Sequence, residues 1–185
     1  MRSSFIRILL YALVVFLLAI MFQQFNIHFS GEGKKTPEEA LPTDADYEWI
    51  EGPKEKNSQR YFFLSNDKYF GTGIVKKNLK GWTASGGVSG IIPKQMEDNT
   101  INAALSDGEL LFGMIQLKGD AKVFVNDEQA NIVELTSLSD EVIEMYSVSN
   151  YSIWYVDLNT LHDSDQFFIQ VVNQDGEILS EIFIN

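Results

Sequence analysis

The stretch KVFVNDEQANIVEL, Lys122 to Leu135, decides how the rest of the chain is read. Two runs rich in β-branched residues flank Asn126, Asp127 and Glu128, and Asn and Asp tolerate the backbone that a tight turn demands. This is a hairpin signal. The same grammar recurs near the carboxyl terminus, where Asn173, Gln174, Asp175 and Gly176 join QFFIQVV to EILSEIFI.

Working outward from that hairpin, short segments rich in Val, Ile, Phe, Tyr and Trp recur from Lys54 onward, separated by Asn, Asp, Gly and Ser, and no 3.6-residue repeat establishes itself. Strands are expected at Tyr61–Leu64, Tyr69–Lys76, Gly81–Ser85, Ile101–Leu105, Glu109–Leu117, Lys122–Val125, Gln129–Leu135, Val142–Val148, Ile153–Leu158, Gln166–Val172 and Glu177–Ile184. In the last hairpin Ile178, Ile182 and Ile184 are expected on one face, opposite Phe167, Ile169 and Val171. Leu179, Phe183, Phe168 and Val172 fall on the other faces, so both sides are apolar and argue for strands covered twice. The expected fold is mainly β, an antiparallel sandwich-like domain over 54–185.

A different signal occupies the amino terminus. ILLYALVVFLLAIMF, Ile8 to Phe22, carries no charge and follows Arg2 and Arg7. On a membrane-insertion scale such a run favours the bilayer by several kcal/mol, and Phe5, Ile6, Phe25, Ile27 and Phe29 extend it at both ends. Bulky residues in MFQQFNIHFSG disfavour signal-peptide cleavage, so residues 1–29 read as a retained transmembrane signal anchor, amino terminus inside and domain outside the cytoplasm. Residues 30–53 hold three of the four prolines and read as a linker. Within it Thr36, Pro37 and Glu39 have the pattern of a short capped helix that Pro42 would end.

Composition narrows the functional classes. A net charge of −12 opposes nucleic-acid binding, and the absence of cysteine excludes disulfides, thiolate metal sites and thiol nucleophiles. Beyond the membrane run the charge is more negative still, so the domain is expected to stand off anionic lipid.

Candidate sites are few. The glycines of KGWTASGGVSG, Lys80 to Gly90, suggest a phosphate loop, but no helix with a following Lys-Ser or Lys-Thr pair supports it. They read instead as a flexible connection that ends a strand. Trp82 with Lys76, Lys77 and Lys80 would make a cationic aromatic patch for a sugar or an acidic partner. The plainer reading, a core or edge tryptophan beside lysines that blunt a strand, outweighs it. In LHDSD, His162 stands beside Asp163, Ser164 and Asp165, yet neighbouring side chains point apart and cannot converge as a triad. Asp163 with Asp165, and Asn173 with Asp175 and Glu177, lack a complete calcium loop. No catalytic, cofactor-binding or metal-binding residue is nominated.

TPEEALP, FGTGIVKKNLKGW, LLFGMIQLKGDAKVFVNDEQANIVEL, SIWYVDL and VVNQDGEI together resemble a set of small membrane-anchored proteins of Bacillus-type Gram-positive bacteria. The similarity covers nearly everything after the anchor, with Asp127 standing where that set has glycine. The resemblance implies one extracytoplasmic β domain and no assigned activity. Two functions are expected from these readings. The first is a non-catalytic interaction module at the cell envelope, tethered to the membrane by its helix and binding an envelope protein or glycan. The alternative is an envelope hydrolase or transferase using carboxylates that the sequence does not single out.

Overall fold

A computed structural model describes residues 2–28, 33–43, 46–161 and 166–184, with side chains of the first helix described at residues 7 and 9–22. The fold is mainly β. Among the described residues twelve strands form three four-stranded sheets, ordered β1-β2-β3-β4, β5-β6-β10-β9 and β12-β11-β7-β8. Their ranges are β1 Tyr47–Lys54, β2 Ser58–Ser65, β3 Tyr69–Lys77, β4 Trp82–Ile91, β5 Leu105–Ser106 and β6 Leu110–Ile115. The second half supplies β7 Lys122–Val125, β8 Glu128–Gln129, β9 Asn131–Glu134, β10 Ser152–Asp157, β11 Phe167–Val172 and β12 Ile178–Ile184. Two α-helices, α1 Arg2–His28 and α2 Asp140–Tyr146, and three 3-10 turns, Glu38–Ala40, Leu135–Ser137 and Leu158–Thr160, complete the described elements.

By contact the chain divides into two units, one of 1–42, 54–59 and 74–85, the other of 43–53, 60–73 and 86–185. The larger unit is organised by β6 and β10. They pair antiparallel from Ser152 opposite Ile115 to Asp157 opposite Leu110. Because side chains alternate across a strand, Phe112, Met114 and Ile153 enter one core with Phe62, Leu64 and Tyr146. Leu111, Ile115, Trp154 and Val156 enter another with Val123, Val125, Ile169 and Val171. A sheet covered on both faces needs apolar residues without alternation, which is why LLFGMI and SIWYV read as continuous hydrophobic runs. Gly113 sits opposite Trp154, and a Cβ there would lie 2.9 Å from the indole.

The hairpin at Asn126 has two central residues, since Val125 pairs with Glu128. Asn126 and Asp127 adopt φ of 51° and 74°, the double left-handed conformation of a type I′ turn. At the last hairpin a bulge between Val171 and Val172 shifts the register, so that Val171 faces Ser180 while Val172 faces Ile178. One inserted residue flips the faces beyond it. Ile182 and Ile184 therefore pack inward as expected, whereas Ile178 turns out and is 52% exposed. The expected second cover over Phe168 and Phe183 is absent among the described residues: Phe183 is 70% exposed.

Other expectations need correction. Val142–Val148 is helical over Asp140–Tyr146, not extended. Ser139 caps it by accepting from the Val142 N–H, Asp140 and Glu141 occupy its first turn, and Ser147 ends it at φ 56°. Helical spacing lets Tyr146 reach the core, and that tertiary contact outweighs the β preference of Val142 and Ile143. Of the expected Ile101–Leu105 strand only Leu105 pairs, at the start of the two-residue strand Leu105–Ser106. Ile101 is buried nonetheless, its N–H donating to the Ser180 hydroxyl at 3.2 Å.

The glycine-rich segment is strand, not loop: β4 runs unbroken from Trp82 to Ile91. The Gly87 Cα lies so near the Thr72 carbonyl that a side chain would not fit, and Gly71 stands likewise against the Val88 carbonyl. The glycines permit close strand approach. Within the expected linker, Tyr47–Lys54 is strand β1, and Ile50 belongs to the first core. The capped turn upstream does form, as a 3-10 turn over Glu38–Ala40, with the Glu39 N–H donating to the Thr36 hydroxyl at 3.3 Å.

Residues 9–22 of α1 are exposed at every position. Among the described residues no helix is long and apolar enough to cross a membrane. The expected crossing therefore does not rest on these residues by themselves.

Candidate functional site

The sequence brings Lys76, Lys77, Lys80 and Trp82 together at one place, the turn between β3 and β4. β3 ends with Lys76 and Lys77, both exposed. The chain reverses over Leu79 and Lys80, closed by the Asn78 N–H donating to the Gly81 carbonyl at 2.8 Å. The Asn78 side-chain oxygen accepts from the Lys80 N–H at 2.8 Å and the Gly81 N–H at 3.1 Å. An asparagine is well placed here because its short amide bonds to backbone two and three residues on. The turn is thereby fixed, and it leaves the Leu79 side chain 74% exposed between lysines.

Trp82 is not part of that exposed surface. It is 8% exposed, and its backbone forms an antiparallel bridge with Lys34, N–H to carbonyl at 2.8 Å in both directions. Gly33 and Gly81 make this contact possible, because a Cβ at either would strike Lys80 or Lys34 backbone. The Lys77 ammonium lies 5.7 Å from the indole centroid, within cation–π range. A sugar needs a bare aromatic face, which Trp82 does not offer. An open groove of about 220 Å³ beside it is lined by Gly33, Lys34, Ala40, Trp82, Thr83 and Ala84.

The polar groups of the larger unit are engaged structurally. Arg60, 7% exposed, bonds to the Asp107 carboxylate, to Glu109 at 3.0 Å and to the Thr72 hydroxyl at 3.3 Å. The other Asp107 oxygen accepts from the N–H groups of Glu109 and Leu110, at 3.1 and 2.8 Å. Asn173 likewise spends its oxygen on the N–H groups of Asp175 and Glu177, and its amide donates to the Glu177 carboxylate at 2.9 Å. This is turn chemistry rather than cation ligation. Among the described residues no group of three or more His, Asp or Glu could hold a metal ion. His162 to Asp165, the other polar run considered, lies outside the described residues.

Two phenols titrate high. Burial raises the Tyr146 hydroxyl above its ordinary value, reinforced by the charges of Asp67, Asp46 and Glu48. Burial alone raises Tyr155. Tyr146 also donates to the Asp46 carbonyl at 3.5 Å and packs in the first core.

Two features escaped the sequence reading. The first is Leu79, whose place between lysines at a turn is itself a signal in the sequence. The second is the outer face of β11 and β12, where Phe168 and Phe183 stack with centroids 4.4 Å apart and Ile178 and Leu179 are exposed. A one-residue bulge decides that face, and no local composition announces it. No family model, curated protein or solved structure matches the chain.

Proposed function

We propose that this chain is a membrane-tethered, non-catalytic interaction module of the cell envelope, its sandwich-like β body held outside the cytoplasm. One observation carries the reading: residues 9–22 of α1 are apolar and exposed all round the helix. Such a rod has no polar face for water and no side that protein covers, so lipid is its natural solvent. Fourteen residues rise about 21 Å against a hydrocarbon core of about 30 Å. A single pass then needs the flanking Phe5, Ile6, Phe25 and Ile27 as well. Arg2 and Arg7 before the run favour the amino terminus on the cytoplasmic side. For the body, the bare aromatic face of β11 and β12 supports binding to an envelope protein.

Flotation with neutral phosphatidylcholine vesicles tests the tether. The full chain should rise with the vesicles even in high salt, and Leu13→Lys with Leu17→Lys should leave it at the bottom of the gradient. Wild-type protein that stays in solution overturns the reading. Protease added to intact cells should then digest the body, and digestion only after lysis would reverse the orientation.

A further inference from the structure

We infer that the β3–β4 turn docks on the surface of the same bilayer that receives α1, with Leu79 entering the interfacial layer and Lys76, Lys77 and Lys80 meeting anionic phospholipid headgroups. The inference rests on the tether reading and adds a second, separate membrane contact.

Three observations support it. The first is the makeup of the tip: Leu79 is 74% exposed, with exposed lysines on either side of it. A large apolar side chain exposed at a turn between exposed lysines suits an interface whose outer layer is anionic and whose next layer is carbon. The tip is also rigid, because Asn78 ties the backbone down, so little ordering entropy is lost on docking.

The second is reach. Gly33 is pressed against Lys80, and Lys34 is bridged to Trp82. Five residue steps separate His28, the last residue of α1, from Gly33. Whatever path they take, they span at most about 17 Å. A helix seated in lipid therefore keeps this turn close to the headgroups.

The third is the sorting of charge. The unit that contains α1 and this turn holds nine of the 14 basic residues and four of the 26 acidic ones, and without Arg2 and Arg7, which the tether reading puts on the far side of the bilayer, it still has seven basic against four acidic, a net of +3. The other unit holds the remaining five basic and 22 acidic residues, a net of −17. A chain whose average charge repels anionic lipid thus gathers its cations beside its own tether. Each lysine near an anionic surface is worth about a fivefold shift in the docking equilibrium, so three are worth on the order of a hundredfold.

The chain has no cysteine, so single labels are easily introduced. Leu79→Cys, carrying an environment-sensitive fluorophore, is reconstituted as the full chain into vesicles containing bromo-lipid quenchers, of either neutral phosphatidylcholine or phosphatidylcholine with phosphatidylglycerol. Quenching at position 79 should be at least twofold stronger in the anionic vesicles. It should return to the neutral level with Lys76→Gln, Lys77→Gln and Lys80→Gln together, or in high salt. Equal quenching in both vesicle types, or quenching that survives the lysine changes, overturns the inference. A parallel label at Val14→Cys reports on the helix. If that label stays aqueous the tether reading fails, whereas a quenched Val14 label with an aqueous position 79 removes only the docking tip.

Discussion

Asp107 offers the sharpest test of how the larger unit is held together. Its side chain is 12% exposed and does two jobs. One oxygen meets the guanidinium of Arg60, whose side chain is itself 8% exposed, and the other closes the β5–β6 turn through the N–H groups of Glu109 and Leu110. Removing one partner of a buried ion pair costs about 3–5 kcal/mol when the other charge is stranded. Arg60 keeps Glu109 at 3.0 Å, but that carboxylate is 54% exposed and binds weakly, so the charge loss should cost about 2 kcal/mol. The turn bonds add about 1 kcal/mol. Asp107→Asn, which retains a carbonyl oxygen for the turn, should therefore cost about 2 kcal/mol, and Asp107→Ala about 3 kcal/mol. Urea unfolding of the full chain in detergent micelles, followed by tryptophan fluorescence, would measure both. If Asp107→Asn lies within about 0.5 kcal/mol of wild type, Arg60 does not depend on this carboxylate and the argument is wrong.

Other outcomes follow from particular residues. Asp127→Gly should raise stability by about 0.5 kcal/mol, because Asp127 holds φ 74° where glycine carries no steric cost; a fall in the urea midpoint would contradict the turn assignment. Tyr146 favours its neutral form in the fold, since its pKa is raised. That contribution is intact below about pH 10, the unfolded value, and is lost as pH climbs through the raised native value. The wild-type urea midpoint should accordingly drop more steeply above pH 10 than that of Tyr146→Phe, and parallel curves would refute it. Phe183→Ser, at a side chain 70% exposed, should cost under about 1 kcal/mol while lowering the binding of a hydrophobic dye. Unchanged dye binding would show that this face is not the bare apolar surface described.

Much of the fold was legible where local chemistry and tertiary demand agree. The hairpin at Asn126 and Asp127 is written in two side chains that accept positive φ, and the runs of β6 and β10 announce burial by their lack of alternation. Legibility failed where a distant contact decided the outcome. Val142 and Ile143 prefer strand, but a Ser139 cap and the pull of Tyr146 into the core make α2. The glycines of β4 look like a hinge until Thr72 and Val88 appear beside them. Of the candidate site, the lysines and Trp82 were visible in sequence. The burial of the indole and the bareness of Leu79 were not, because Lys34 supplies the strand pairing from 48 positions earlier.

With α1 in lipid as proposed, the Lys34–Trp82 bridge also sets how far the β3–β4 turn can range from the helix. A free linker over 30–53, twenty-four residues long, would give a root-mean-square reach of about 27 Å. Clamping the chain at Gly33 leaves a leash of at most about 17 Å. The volume that this turn sweeps about the end of the helix shrinks at least about fourfold, since it scales with the cube of reach, and on the proposed reading a target at the same height above the lipid meets a correspondingly higher effective concentration.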